Sequence, residues 1–205
     1  MCGILGYSGD FDSDAMSVGL EAIAHRGPDD RGEWRSADAR VGLGHVRLSI
    51  QDLSALGHQP MISPNEDVTI VFNGEIYNFN ELRAELEDAG HTFLGHSDTE
   101  VLLHLYMEHG QAMLSLLNGI FALAIWDDRD QSLFLARDHY GVKPFYYAEH
   151  PNGFVFGSEF KGIRPLIPEV RDLDEAAIRR YMSLLWCPGV GTPLHTGAAC
   201  AVTVL

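Results

Sequence analysis

The second residue of the sequence is a cysteine, Cys2, and its position at the start of the chain gives the thiol an unusual chemical setting. When the initiator methionine is removed, Cys2 carries its thiol and a free α-amine on the same residue. An α-amine has a pKa of about 7.7–8.0, so much of it is an available base at neutral pH. A thiol beside such a base is an activated nucleophile. The alternative is that Cys2 packs as a small hydrophobic side chain.

Arg47 is a second candidate, because it lies in the run His-Val-Arg-Leu-Ser-Ile at 45–50, which is otherwise typical of an apolar strand. A guanidinium group inside such a strand needs a partner. A ligand carboxylate can accept two parallel hydrogen bonds from it, which predicts an anion-binding role. A structural salt bridge is the alternative.

Two further sites stand at the ends of predicted elements. Asn73 and Gly74 follow a β-branched run. The amide of Asn73 and the N–H of Gly74 can together stabilise an oxyanion, although an Asn-Gly pair on its own favours a tight turn. Asp98 directly precedes a predicted helix, where a carboxylate is an ordinary cap. Binding of a ligand ammonium group is the alternative for Asp98.

Composition excludes several classes of function. The 205 residues carry a formal net charge of −15, which repels nucleic acid and anionic membrane surfaces. The three cysteines are scattered and the ten histidines show no ligand spacing, so neither a disulfide framework nor a metal site is predicted. No signal peptide, membrane span or phosphate-binding glycine motif is visible. We expect a cytoplasmic protein whose partners are small molecules or other proteins.

Apolar periodicity places strands at both ends of the chain and helices between them. It predicts helices over 14–24, 80–89, 99–109 and 175–185, and strands over 4–8, 40–50, 68–73, 119–126, 132–136, 145–148 and 154–156. The order lacks strict βαβ alternation. Two sheets packed together, with helices on their outer faces, explain this order of elements best.

Several motifs, in this order along the chain, resemble class II glutamine amidotransferase domains. They are Met-Cys-Gly-Ile at 1–4, His-Arg-Gly-Pro-Asp at 25–29, the run at 45–50, Asn-Gly-Glu-Ile-Tyr-Asn at 73–78 and Ser-Asp-Thr-Glu at 97–100. Within that family the sequence looks closest to the glutaminase domain of glutamine-hydrolysing asparagine synthetases, which 137–144 and 157–161 also resemble. The resemblance extends from residue 1 to about residue 194.

The resemblance implies a fold and a set of roles. Such domains are α+β proteins of the N-terminal-nucleophile type, a four-layer αββα sandwich. Cys2 would attack the side-chain amide of glutamine, its α-amine would move the protons, and Asn73 and Gly74 would form the oxyanion hole. Glutamate and ammonia would be released by way of a thioester. The residues implied in substrate binding are Arg47 for the carboxylate, Leu48, Ser49, Ile50 and Gln51 for the pocket wall, and Glu75 and Asp98 for the ammonium group.

The resemblance also implies a division of the chain. Residues 1–170 would be the glutamine amidotransferase domain and 171–194 the start of a linker to a synthetase domain, whereas 195–205 no longer follow the family pattern. In the family that second domain uses ATP and Mg²⁺ to activate an acid such as aspartate. We therefore expect no cofactor in this chain, and we expect full synthetase activity to be absent from it.

Three functional alternatives follow. The first is hydrolysis of L-glutamine by this chain. The second is a folded but inactive remnant, or a binding module that holds glutamine without turnover. The third is a subunit that supplies ammonia to a separate synthetase chain. A homodimer is a further prediction, whereas nucleic acid and membrane partners are not expected.

Overall fold

The computed structural model describes residues 1–169, 175–184 and 199–200. Its strands are β1 (Gly3–Gly9), β2 (Asp30–Arg35), β3 (Val41–Arg47), β4 (Met61–Ile62), β5 (Val68–Ile76), β6 (Gly119–Asp127), β7 (Ser132–Arg137), β8 (Tyr146–His150), β9 (Gly153–Gly157) and β10 (Ala199–Cys200). Its helices are α1 (Ser13–Ala22), α2 (Phe79–Asp88), α3 (Asp98–His109), α4 (Phe160–Ile163) and α5 (Glu175–Leu184). No helix among these residues is both long and apolar enough to cross a membrane.

The strands form two antiparallel sheets. The first has the order β10-β8-β9-β1-β3-β2, and the second has the order β4-β5-β6-β7. In the first sheet, β1 is an interior strand, paired with β3 on one side and with β9 on the other. In the second, β5 pairs with β6 along its whole length, but with β4 over only two residues. Most of the outer edge of β5 therefore has no strand beside it in the described chain.

Three apolar clusters arrange these elements in layers. Between the sheets, Ile4 and Leu43 of the first pack with Val71 and Ala124 of the second. On the outer face of the second sheet, residues of β5 and β6 pack against α2 and α3. On the outer face of the first, β1 packs against α1 and α4. The layers run helix, sheet, sheet, helix, which confirms the predicted α+β αββα sandwich.

The structure corrects the sequence prediction at two places that matter for the site. Asn73 and Gly74 do not form a tight turn, because pairing with Ala122 and Phe121 carries β5 straight through them to Ile76. Tertiary pairing overrides the local turn preference here. Helix α3 begins at Asp98 and not after it; the N-cap is Ser97, whose side chain accepts a hydrogen bond from the N–H of Glu100.

The predicted strand over 40–50 is also shorter in the structure. It ends at Arg47, because the chain then leaves the sheet in a loop over 48–57 that the Arg47 side chain holds in place. Three strands were not predicted: β2 and the two-residue strands β4 and β10. The longest of them is β2. Its charged sequence Asp-Arg-Gly-Glu-Trp-Arg, at the edge of the sheet, lacks a continuous apolar pattern.

Candidate active site

A solvent-open cleft with about 640 Å³ of empty volume lies where β1 starts, β3 ends and β5 presents its free edge. Its lining residues come from five separate parts of the chain: Met1, Cys2, Arg47, Leu48, Ile50, Gln51, Gly57, Gln59, Phe72, Asn73, Gly74, Glu75, Ser97, Asp98, Thr99 and Lys143.

Cys2 lines this cleft and is held there by hydrogen bonds with Leu48 and Arg26. Its Sγ lies 3.4 Å from the backbone N of Leu48, which donates to it, and 3.6 Å from the Leu48 carbonyl oxygen. Its own carbonyl oxygen accepts a 2.9 Å hydrogen bond from Nε of Arg26, whose guanidinium also binds Glu159. Gly3 permits this packing, because a Cβ there would lie 2.9 Å from a methyl group of Val46. The thiol is therefore fixed in position while remaining partly exposed.

The free edge of β5 supplies hydrogen-bond donors to the cleft. Phe121, opposite Gly74, directs its N–H and C=O towards Asp138, on the side away from β5. Gly74 is therefore a non-hydrogen-bonded partner in the ladder, and its N–H points to the free edge. The N–H groups of Phe72 and Ile76, two residues to either side, share that edge. They donate to the side chains of Gln59 and Asp98 at 2.7 and 3.2 Å.

Asn73 adds a second donor beside the Gly74 N–H. Its side chain is 1% exposed, and among the described residues its Nδ2 has no hydrogen-bond partner. A buried amide without a partner costs about 1–3 kcal/mol, so an unfilled donor at a cleft wall indicates a ligand acceptor. Nδ2 of Asn73 and the N–H of Gly74 are thus two donors in the same cleft as the Cys2 thiol, and such a pair can stabilise an oxyanion.

Arg47 is 6% exposed and uses part of its guanidinium to shape the cleft. Nη1 donates to the carbonyl oxygen of Ser54 at 3.0 Å, and Nη2 donates to the carbonyl oxygens of Gln51 and Asp52. The structural salt bridge considered from the sequence is absent from the described residues, since the partners of Arg47 are backbone carbonyls. A guanidinium has five N–H groups, so capacity remains for a ligand carboxylate, and the positive charge is not neutralised.

Asp98 and Glu75 provide negative charge on the other wall. Glu75 is exposed, whereas Asp98 is buried at the first turn of α3 and accepts the hydrogen bond from Ile76. Burial raises the pKa of Asp98 to about 6, although the hydrogen bond from Ile76 acts in the opposite direction. A carboxylate buried at such cost is stabilised when a ligand cation pairs with it.

The structure gathers the predicted site residues in one place, with one exception. Cys2, Asn73, Gly74, Arg47, Asp98 and the others named from the sequence line the cleft, but Ser49 does not. The N–H of Ser49 donates to the carboxylate of Asp29 at 2.7 Å.

Gln59, Thr99 and Lys143 are among the lining residues that were not predicted as site residues from the sequence. Gln59 lies in a Pro-rich loop, and nothing in its local sequence marks it. Lys143 lies in the run at 137–144 that contributed to the family resemblance, and that run was the only signal for it. The sequence contains two lysines, and Lys161 is paired with Glu159 at 3.1 Å, which leaves Lys143 as the lysine at the cleft.

The loop that carries Lys143 is held by the two residues at its start. The carboxylate of Asp138 accepts hydrogen bonds from the backbone N–H groups of Phe121, Tyr140, Val142 and Lys143, at 3.0–3.3 Å. Burial alone would raise the pKa of Asp138, but these backbone hydrogen bonds outweigh it and hold the pKa below its usual value. Nε of Arg137 donates to the carbonyl oxygen of Lys143 at 2.6 Å. The described residues contain no cluster of three or more side chains suited to a metal ion.

Comparisons with known proteins identify the family of the chain. Residues 1–197 match the family described as "Glutamine amidotransferase domain". The chain is 44% identical over 171 residues to asparagine synthetase [glutamine-hydrolyzing] 3 of Bacillus subtilis, covering 80% of this chain and 27% of that protein. It is 44% identical over 148 residues to amidase chry2 of Gibberella zeae, covering 72% of this chain and 22% of that protein. The chain thus spans about a quarter of the length of these relatives.

A third relative and a solved structure extend the comparison. The chain is 38% identical over 209 residues to putative asparagine synthetase [glutamine-hydrolyzing] 2 of Methanocaldococcus jannaschii, covering 92% of this chain and 40% of that protein. The structure of glutamine phosphoribosylpyrophosphate amidotransferase from B. subtilis superimposes with a TM-score of 0.69. At 23% identity, over 80% of this chain and 43% of the other, that likeness supports the fold alone.

Proposed function

The chain belongs to the glutamine amidotransferase domain family, and from that premise we propose that it hydrolyses L-glutamine to glutamate and ammonia through a thioester on Cys2. The observation that carries the proposal is the placement of an unfilled donor pair, Nδ2 of Asn73 and N–H of Gly74, in the same cleft as the Cys2 thiol. A nucleophile beside an oxyanion hole performs acyl transfer. The side-chain amide of glutamine is an acyl donor for such a reaction.

In the first half-reaction, the sulfur of Cys2 attacks the amide carbon of glutamine. The thiol proton passes to the α-amine of Cys2, and the carbonyl oxygen becomes an oxyanion that accepts hydrogen bonds from Asn73 and Gly74. The carbon–nitrogen bond then breaks, and the α-amine returns the proton to the leaving nitrogen, so ammonia departs and a thioester remains.

The second half-reaction repeats these steps with water. The α-amine takes a proton from water as its oxygen attacks the thioester carbon, and the same two donors stabilise the second oxyanion. The carbon–sulfur bond breaks, the proton goes to the sulfur, and glutamate leaves with its new carboxylate. The α-amine must be free in both steps, because a peptide nitrogen is not a base.

The two walls of the cleft recognise the α-amino-acid group of the substrate. Arg47 binds the carboxylate, with Leu48, Ile50 and Gln51 beside it, and Asp98 with Glu75 binds the ammonium group. The buried charge of Asp98 supports this role, since the ammonium group would neutralise it in the bound state. A ligand that lacks either group should bind more weakly.

The experiment is glutamate release from glutamine by the purified chain, with the intact mass measured alongside. We expect Cys2→Ala to abolish hydrolysis and keep the thermal unfolding transition, because it removes the attacking sulfur and little volume. Cys187→Ala and Cys200→Ala are the matched controls and should leave the rate unchanged. Active protein should have lost Met1; full activity in protein that retains Met1 would contradict the role of the α-amine.

The same assay separates the alternatives. Binding of glutamine, measured by calorimetry, without any glutamate release would favour a binding module or an inactive remnant. Supply of ammonia to a synthetase domain or subunit is supported by the names and lengths of the asparagine synthetase relatives, of which this chain spans about a quarter. Amide formation from ATP and an acid by this chain alone would contradict the proposed division of labour.

A further inference from the structure

His45 is completely buried between the two sheets and binds the backbone directly before the oxyanion hole. It belongs to β3 of the first sheet, and its Nε2 lies 3.1 Å from the carbonyl oxygen of Phe72 in β5 of the second. That carbonyl belongs to the peptide group that joins Phe72 to Asn73. The thiol of the proposed nucleophile accepts a hydrogen bond from Leu48, the residue directly after β3. His45 therefore connects the strand that leads to this contact with the strand that holds the donors.

Gln59 binds the N–H group of the same residue. Its Oε1 accepts a 2.7 Å hydrogen bond from the N–H of Phe72, and its Nε2 donates to Oγ1 of Thr99 at 3.0 Å. A neighbouring strand would normally supply such partners, but β4 begins only at Met61, opposite Ile70, and does not extend to Phe72. Two side chains therefore replace the missing strand at Phe72. The next outward N–H group, that of Gly74, is left for the substrate.

The chemistry of the contact fixes the state of the imidazole ring. A carbonyl oxygen only accepts hydrogen bonds, so Nε2 must carry the proton. Nδ1 is buried without a partner among the described residues, which leaves no acceptor for a second proton. Burial lowers the pKa of His45 to about 3, although its hydrogen bond with Phe72 acts in the opposite direction. The ring is therefore neutral throughout the physiological range.

We propose that His45, as its neutral Nε2–H tautomer, is a positioning residue that sets the oxyanion hole of Asn73 and Gly74 at the correct distance from Cys2. The inference rests on the proposed function and deepens it. His45 does not touch the substrate. It acts through the peptide group before Asn73, where a displacement of about 1 Å can cost roughly 10²-fold in rate.

The test uses variants that differ in where they place a donor. In His45→Gln the amide Nε2 of the longer side chain reaches the place of the imidazole Nε2. In His45→Asn the amide Nδ2 lies nearer the position of the imidazole Nδ1, and His45→Leu keeps volume but has no donor. We expect kcat to fall about 10- to 100-fold in His45→Leu and His45→Asn. We expect KM to change less than about threefold, and His45→Gln to recover most of kcat.

Two further measurements separate positioning from general damage. Alkylation of Cys2 by iodoacetamide needs the thiol but no oxyanion hole, so its rate should be unchanged in every His45 variant. His104 is the matched control: it is also a buried histidine, in α3, but its ring partner is His91, outside the cleft. His104→Leu should shift the melting temperature and leave kcat unchanged.

The outcomes are distinguishable. An active wild-type chain with an unchanged kcat in His45→Leu and His45→Asn would overturn this inference and leave the proposed function in place. A parallel loss of kcat, alkylation rate and stability that His45→Gln does not recover would show a structural role only, and would also overturn it. If His45→Leu does not fold, the comparison of kcat between His45→Asn and His45→Gln decides whether His45 is a positioning residue. A wild-type chain that hydrolyses no glutamine contradicts the proposed function, and this inference falls with it.

Discussion

At the scale of single residues, the buried polar atoms that lack partners mark the site. Among the described residues there are three such side-chain atoms: Nη2 of Arg26, Nδ1 of His45 and Nδ2 of Asn73. Arg26 anchors the main chain at Cys2, His45 binds the peptide before Asn73, and Asn73 faces the cleft. Unpaired buried groups are rare in folded proteins. All three residues thus line the cleft or bind the backbone of residues that line it, which is a functional signal.

Asn73 gives the first residue-scale prediction. Asn73→Ala removes one of the two oxyanion donors, which act only once charge develops on the carbonyl oxygen. We expect kcat to fall about 10²- to 10³-fold with little change in KM, as for other oxyanion-hole donors. Asn65→Ala, at an exposed turn where the amide binds Asp67, is the control and should be neutral. A rise in KM without loss of kcat would assign Asn73 to ground-state binding instead.

Asp98 gives a prediction about pH. Only the ionised carboxylate pairs with the substrate ammonium group, and the pKa of Asp98 in the free protein is about 6. We expect KM for glutamine to rise about tenfold for each pH unit below 6 and to level off above it. Asp98→Asn should show a high KM at every pH and no such slope. An unchanged slope in Asp98→Asn would exclude Asp98 as the titrating group.

The carboxylate of Asp98 also makes the stability of the fold depend on pH. The pKa of Asp98 in the folded state, about 6, lies above the value of about 3.9 for an unfolded chain. The native state therefore binds more protons between these values, and stability falls as pH rises from about 4 to 6. Asp98→Asn should remove this loss and be more stable than wild type at pH 7, by up to about 3 kcal/mol. Urea unfolding of both proteins at pH 4 and pH 7 measures the difference.

The site residues differ in how far the sequence could reveal them. Cys2, Arg47 and Asn73 stand in motifs whose chemistry can be argued locally, and the cleft contains all three. Ser49 lies in such a motif as well, but its backbone N–H binds Asp29 and the residue does not line the cleft. Gln59 has no local signal, since it reaches Phe72 only because β4 stops short.

At the scale of elements, the free edge of β5 explains how an ordinary sheet forms a reaction site. Residues Phe72, Gly74 and Ile76 direct their N–H groups outward, and the chain covers the first and third with side chains. The middle N–H is left for the ligand. The sequence predicted the start of this strand but ended it at Asn73, because local turn preference does not reveal the pairing with β6.

The loop after β7 gives a prediction at this scale. Asp138 is 4% exposed, and its carboxylate binds four backbone N–H groups that have no strand partner. Asp138→Ala leaves those groups buried or strained, and we expect the free energy of unfolding to drop by about 2–4 kcal/mol. Asp10→Ala, on the exposed turn after β1, should change it by less than about 0.5 kcal/mol. Equal effects in the two variants would show that the loop needs no such support.

At the scale of the whole molecule, the layers were predictable and the sheet order was not. Alternating and apolar runs identify most strands, and the grouping of helices indicates a sandwich. The order in which strands pair depends on contacts between residues far apart in sequence, which no local pattern encodes. The predicted division at residues 170 and 194 stays a prediction; apart from α5 and β10, the residues after 169 lie outside the described chain.

Truncation tests that division. Residues 1–169 contain every residue of the cleft, both sheets apart from β10, and helices α1 to α4. We expect a chain cut after residue 169 to hydrolyse glutamine at the rate of the full chain. It should also be more soluble, because α5 exposes Met182 and Leu184 to solvent. A large loss of activity on this cut would place an essential element beyond residue 169.

The interior position of β1 also has a consequence for synthesis on the ribosome. The strand that carries the nucleophile lies against β9, and the N–H of Ile4 binds the hydroxyl of Ser158 at 2.9 Å. At translation rates of about 5–20 residues per second, β9 follows β1 by roughly 8–30 s. During that interval the N-terminus is open to the peptidase that removes methionine, while the thiol has no finished site around it. The first part of the molecule to be made is thus among the last to become active.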